Sequence, residues 1–468
     1  MAGRRPPAAP GPPGPSGAGG SSSPGPLGAG GPGAGGASGS GDAPATLFAH
    51  VVLPERDPRE PWDVLVQGHG IAAVEKAGAL RGAAPAVIEG RGRWLLPGFI
   101  DDHVHLREPG LEHKEGYESG TRAAAAGGIT TLFEIQNNPP LMTSRAAVEA
   151  KLALVRPKSL VNVRVYASLV DEALPHVAEM SPLVAGYKLF MGPSTGGLDI
   201  RGEERLAAMF GAVARTGQWL FVHAEDGDLI EAGIAAHGAA GAGEFHLARP
   251  AAAEIKAVQD ALRLAEAEGT RLHVFHMSAG GAVDLVADAR RRGRAVTAGT
   301  CPHYLYFTHA DTARVGTALK VNPSIKAASD RERLIEGLRD GSIDCLSSDH
   351  APHTAEEKAR PFPKAPSGIP SLDIFMPLCL TLAQRSVLPL ATVLERATAG
   401  PARVHGLTHK GRVAAGMDAD LVLLDSAQRR VVHGAEHESK AKLTPYEGME
   451  LTGWPQLTMV MGRTVFER

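Results

Sequence analysis

The segment Asp102-His103-Val104-His105-Leu106-Arg107-Glu108-Pro109-Gly110 follows the apolar run Leu95-Leu96-Pro97-Gly98-Phe99-Ile100. Strand side chains alternate between faces, so His103 and His105 at the end of such a run point the same way and can grip one ion. Arg107 shares their parity. It would set a fixed cation with a planar fork of donors beside that ion, suited to holding a carboxylate. Alone, the pair is a weak signal, because two core or surface histidines would read the same way.

The rest of the chain supplies more such groups, each at or near the end of a strand-like run. Lys188 lies in Gly186-Tyr187-Lys188-Leu189-Phe190, toward the end of the fourth run, His223 ends Leu220 to His223, His276 ends Leu272 to His276, and Asp349 follows Ile343 to Ser348. Taken singly, each has an ordinary alternative: a hydrogen-bonded histidine, a snorkelling lysine, a helix-capping aspartate. Their recurrence at the same end of successive runs is what points to a metal site.

The elements that must position these groups alternate. Strand-like runs end at His105 and cover Thr130 to Ile135, Val161 to Leu169, Ala185 to Phe190, Leu220 to His223, Leu272 to His276, Ala295 to Thr300 and Ile343 to Ser348. Amphipathic stretches fall between several of them. Examples are Glu203 to Arg215, with Leu206, Met209, Phe210 and Val213, and Glu254 to Glu268, with Ile255, Val258, Leu262 and Ala265. Eight alternating units over about 300 residues predict an α/β fold, a (β/α)8 barrel, whose active site lies at the C-terminal ends of its strands.

Short strand-like runs at Thr46 to Val52, Trp62 to Val74, Leu421 to Asp425 and Leu457 to Phe466 predict a small β-sandwich domain built from both ends of the chain. The expected boundaries are residues 46–96 and 406–468 for that domain and 97–405 for the barrel. Residues 1–45 are Gly, Pro, Ala and Ser with hardly a large apolar side chain, and are expected to form a disordered tail.

Composition narrows the function. Of 468 residues 43% are hydrophobic and 21% charged, with a formal net charge of −3, so there is no basic excess for a phosphate backbone and no demand for a membrane. Small molecules are the expected partners. Cys301, Cys345 and Cys379 are an odd, scattered set that fits neither a disulfide framework nor a thiolate cluster, which suits a reducing cytoplasm. Arg4 and Arg5 are followed by Pro, Gly and Ala and not by an apolar run, so no signal peptide is expected.

The segments DHVHLREPG, GYKLF, FVHAED, HVFHMS, CPHYL, SSDHAPH and GRVAAGMDADLVLLD, in this order and spacing, resemble the cyclic amidohydrolases, the branch that holds dihydroorotase, allantoinase and hydantoinase. The resemblance spans roughly Trp62 to the C-terminus. It implies two divalent metal ions, usually zinc, bridged by a carbamate formed on Lys188. One ion would be held by His103, His105, carbamylated Lys188 and Asp349, the other by the carbamate, His223 and His276. A carbamate offers two anionic oxygens where an amine offers none, and a metal pair generates hydroxide from a shared water. Asp349, beside that water, is the expected catalytic base and proton shuttle.

Within this branch the segments are most similar to those of dihydroorotases, at Arg107, Asn137, Asn322 and His353. The resemblance implies that Arg107, Asn137 and His353 hold the carboxylate of dihydroorotate and that Asn322 contacts its ring. The implied reaction interconverts (S)-dihydroorotate and N-carbamoyl-L-aspartate in pyrimidine biosynthesis. The alternative is an allantoinase or hydantoinase acting on a neutral cyclic ureide, but an arginine at position 107 suits a substrate with a free carboxylate. A homo-oligomer and association with aspartate transcarbamoylase are also implied; an inactive scaffold for that partner would be expected to lack ligands, and none is missing here. The chain departs from its relatives at Gly299, where many carry a glutamate, at Ile135-Gln136, and at Ser324-Ile325-Lys326.

Overall fold

The computed structural model describes residues 44–239 and 241–468, so nearly all of the segment expected to be a tail lies outside the described residues. Eight parallel strands form the barrel in chain order: Phe99–Val104, Ile129–Glu134, a third strand in two pieces, Tyr187–Phe190, Trp219–His223, Arg271–Val274, Val296–Thr300 and Cys345–Leu346. The third strand breaks at Tyr166. Its first piece, Asn162–Val165, pairs with the second strand, and its second piece, Ala167–Ser168, pairs with the fourth. The eighth is shorter than its apolar run because the backbone turns after Leu346, with Asp349 at φ 46°. Closure comes just beyond it, where the His105 N–H donates to the His350 carbonyl at 2.8 Å and Val104 bridges His350 in parallel.

Helices cover the outside of the strands. Glu203–Ala214 buries Met209, Phe210 and Val213, as its 3.6-residue periodicity predicts. Ala251–Glu268 begins after Pro250 and stops where Gly269 takes a left-handed φ of 72°, a conformation glycine adopts without steric cost. Its buried stripe is Ala253, Ala257, Val258, Ala261 and Leu264. Ile255, Leu262 and Ala265 lie at the flank, so of the four expected inward residues only Val258 is buried, and three alanines and Leu264 fill the rest of the stripe. The inward set was hard to read from sequence because alanine carries little hydrophobic signal.

Strands from both ends of the chain join in one sheet, ordered Arg463–Glu467, Pro455–Val460, Leu421–Leu424, Trp94–Pro97, Thr46–Val52, Pro61–Gln67 and Gly70–Lys76, with Ala86–Glu89 also beside Thr46–Val52. Leu421–Leu424 runs antiparallel to Trp94–Pro97, which leads directly into the first barrel strand. Phe48, Val51, Val64, Leu95, Leu421 and Leu423 form its core. Thr458 Oγ1 donates to the Ala125 carbonyl at 2.7 Å, tying this sheet to the first barrel helix, Tyr117–Ala126. Among the described residues no helix is long and apolar enough to cross a membrane.

Candidate metal centre and substrate pocket

His103 and His105 leave the first strand on the same side, as alternation predicts. Nδ1 of His105 faces the Ile135 carbonyl at 2.9 Å, which fixes the ring and leaves Nε2 turned to Asp349. Asp349 Oδ1 lies 3.4 Å from Nε2 of His103 and 3.6 Å from Nε2 of His105. These three buried residues form a group able to hold a metal ion, their ligand atoms all within 4.8 Å of one another. A second pair faces them: Nδ1 of His223 lies 3.1 Å from Nε2 of His276, and the His276 ring centroid is 4.9 Å from that of His103.

Lys188, on the fourth strand, stands in the same cluster. Its Nζ is buried with no hydrogen-bond partner, 4.4 Å from the ring centroid of Phe275. Burial pushes the amine down to about 7, against the pull of Asp349. Burial likewise pushes Asp349 up to about 7, opposed by Lys188 and Arg107. The imidazoles of His103, His105 and His276 are pushed well below their ordinary range, first by burial and then by neighbouring cations. Neutral imidazoles, a carboxylate and an unpartnered amine converging in a buried space are a donor set that fits divalent cations.

Glu225, which the sequence reading missed, sits behind this set. Its Oε2 is 3.0 Å from Nε2 of His223, and it pairs with Arg249. Burial alone would raise its carboxyl, but Arg249 and then His223 hold it far below the usual range, so a fixed anion orients the His223 ring. The signal was present in the sequence, since Glu225 has the parity of His223 two residues on.

Arg107 reaches the pocket beside the cluster. Its Nη1 donates to Asn137 Oδ1 at 2.9 Å and its Nε to the Pro352 carbonyl at 3.3 Å, while buried Nη2 has no partner. Burial lowers the guanidinium to about 10, leaving it charged at neutral pH. Asn137 is held in turn by donating to the Thr195 carbonyl at 2.9 Å. Asn322 also lines the pocket, and its Oδ1 is buried and unpartnered. His353 lies behind the wall: Nε2 faces the Ser367 carbonyl at 3.0 Å and Nδ1 is 3.3 Å from Glu357 Oε2, and Ser367 is the residue that lines the pocket.

Arg107, His276 and Asp349 all have positive φ, at 66°, 37° and 46°. Such conformations cost a non-glycine residue about 1–3 kcal/mol each and persist where the surroundings over-determine them, often at functional sites. Two of the sequence departures turn away from the pocket. Gln136 accepts from Lys151 and donates to the Asn138 and Pro109 carbonyls, and Lys326 Nζ donates to the Arg249 carbonyl and Ser324 Oγ. They brace the pocket from outside.

Fold and pocket together define a (β/α)8-barrel enzyme with its site at the C-terminal strand ends. The amidohydrolase family profile matches residues 94–465. The dihydroorotase of Bacillus cytotoxicus is 35% identical over 409 residues, 87% of this chain and 94% of that protein. That of Halobacterium salinarum is 37% identical over 377 residues, 80% and 86% of the two chains. Among solved structures, the L-hydantoinase (dihydropyrimidinase) from Arthrobacter aurescens matches with a TM-score of 0.86 at 31% identity, covering 91% of this chain and 96% of that one. The chain belongs to the amidohydrolase family.

Proposed function

We propose that this protein is a metal-dependent cyclic amidohydrolase with the activity of a dihydroorotase, interconverting (S)-dihydroorotate and N-carbamoyl-L-aspartate. The observation that carries the substrate is the unpartnered Nη2 of buried Arg107, beside Asn137 and opening onto the metal cluster. A buried guanidinium with a free donor calls for an anion, and a carboxylate matches its planar fork. The named relatives at 35% and 37% identity support the same reading.

His103, His105, Lys188 and Asp349 would hold one cation, and His223, His276 and Lys188 the other, with zinc the expected metal. Lys188 is suited to its bridging role because an amine lowered to about 7 is substantially neutral near physiological pH. It can then add to carbon dioxide, giving a carbamate and releasing a proton. Bound cations would supply Lewis acidity and a hydroxide nucleophile at neutral pH. Asp349 accepts the proton of the attacking water and passes it to the leaving ring nitrogen. Arg107 and Asn137 grip the substrate carboxylate, Asn322 offers an acceptor to a ring N–H, and His353 supports the Ser367 wall behind them.

A hydantoinase or allantoinase activity is the second reading, favoured by the likeness to the Arthrobacter L-hydantoinase. The complete donor set speaks against an inactive scaffold. Rates on dihydroorotate, N-carbamoyl-L-aspartate, allantoin and hydantoin decide among these, with the carboxylated pair expected to dominate. The reading extends to a cytoplasmic homo-oligomer able to associate with aspartate transcarbamoylase, which size-exclusion chromatography with and without that enzyme tests.

A further inference from the structure

A second cluster of ionisable side chains lies within the barrel, on the strand residues that lead to the pocket. Asp102, fully buried, accepts from Ser347 Oγ, and its Oδ2 is 3.3 Å from Nε2 of His405 and 4.0 Å from Nε2 of His273. Its carbonyl accepts from Tyr166 at 2.9 Å. His405 follows the helix Ala399–Val404 and stacks on Phe221, centroids 5.2 Å apart and planes 8° apart. His273 is fixed from its other side, with Nδ1 2.8 Å from Thr297 Oγ1. A buried carboxylate with this many partners in an aromatic core is costly to desolvate, and nothing in the reaction proposed above uses it directly.

Two features say what it does. Asp102 joins the first strand to the eighth through Ser347, one residue before His103 and two before Asp349. Asp101 repeats the link, its Oδ1 accepting from the Ser348 N–H at 3.0 Å. The other feature is Gly299, whose backbone is not in the left-handed region and so does not require glycine. A Cβ there would lie 3.3 Å from His273 Nε2 and 3.6 Å from Ser347 Oγ, two of the groups that Asp102 itself approaches.

We propose that Asp102 is a positioning residue: a buried anion, set against the same His273 and Ser347 groups that border the space open at Gly299, that clamps the strand ends bearing His103 and Asp349 and thereby sets the affinity of the pocket for its cations. The inference rests on the metal-site reading above. It implies that the carboxylate matters more than the residue carrying it, so that a carboxylate grown from position 299 should replace it.

The test is zinc affinity of the purified full chain, measured by competition with a chromophoric chelator, alongside the melting temperature of the metal-free protein. Asp102→Asn, which preserves shape, should weaken zinc by about tenfold or more, the size of effect seen when groups supporting metal ligands are removed. Asp102→Ala should weaken it similarly, and adding Gly299→Glu should bring the affinity back to within about threefold of the parent, since a side chain from position 299 starts beside His273 Nε2 and Ser347 Oγ, groups that Asp102 also approaches. His405→Gln, which keeps both the carboxylate and a donor for it, should bind zinc as the parent does. Parent-like affinity in Asp102→Asn would overturn the proposal, as would a folded Asp102→Ala/Gly299→Glu variant that stays weak or a His405→Gln loss as large as that of Asp102→Asn. Should the single Asp102 variants fail to fold, the pair decides: recovered folding with parent-like affinity supports the proposal, and no recovery overturns it. A parent that binds no zinc would defeat the metal-site reading itself, a result distinct from all of these.

Discussion

Nδ1 of His223 faces Nε2 of His276 at 3.1 Å, two ring nitrogens from neighbouring strands turned toward each other in a buried space. With both rings neutral, only one proton or one cation between them satisfies both lone pairs. Lys188, whose Nζ has no partner, stands in the same cluster and is the group best placed to bring an anion to such a cation.

Lys188→Ala should therefore lose most bound metal and most activity, because the neutral histidines and Asp349 supply too little negative charge for two dications. Added short carboxylic acids should restore part of both by occupying the vacated bridge. Metal content by elemental analysis checks this, and full occupancy without added acid would contradict it.

Metal affinity should also depend on pH in one direction. Asp349 is raised to about 7 and Lys188 lowered to about 7, so below that value both hold protons that a cation must displace. Apparent affinity should rise with pH and flatten above about 7. In the metal-free protein Asp349 also affects folding: the folded state holds its proton more tightly, so its contribution to stability is present at low pH and is lost as pH rises from 3.8 toward about 7. Chelator competition between pH 5.5 and 8 (roughly the working range for imidazole ligands) checks the affinity, and an affinity that falls with pH would contradict it.

The pocket wall depends on a buried ion pair. Lys151 Nζ lies 3.0 Å from Glu134 Oε2, both almost fully buried, and the same ammonium donates to the Glu108 carbonyl and Gln136 beside Arg107 and Asn137. Lys151→Met should cost about 3–5 kcal/mol, because it leaves a buried carboxylate without its partner. Lys151→Met combined with Glu134→Gln should recover much of that loss. Urea denaturation measures both, and a single variant as stable as the parent would show the pair to be dispensable.

The barrel was legible because parallel strands buried on both faces read as apolar runs, and His103, His223 and His276 stood out as candidates because they lie at or just beyond the ends of such runs, whereas Lys188 sits inside its strand, Tyr187–Phe190. Residues that act from behind were not. Glu225 offered only its parity with His223, His273 and His405 carry no periodic signal of their own, and their partners, Arg249, Thr297 and Asp102, lie tens to hundreds of positions away in the sequence. Gln136 and Lys326 looked like changes in the pocket, yet their side chains point into the scaffold, since direction off a loop depends on contacts no local pattern encodes. His353 marks the same limit, with its ring turned to Ser367.

The central claim, a pocket built for a carboxylated ring, is tested most directly by kcat/KM of the parent and of Arg107→Ala on dihydroorotate and on unsubstituted hydantoin. Truncating one partner of a buried charge pair costs about 2–5 kcal/mol, so Arg107→Ala should lose about two orders of magnitude or more on dihydroorotate. Hydantoin, which has no carboxylate to lose, should suffer far less, and Arg107→Lys should recover only part because a point charge cannot make two parallel hydrogen bonds. A parent that prefers hydantoin, or an Arg107→Ala variant that turns over dihydroorotate as the parent does, would contradict the account.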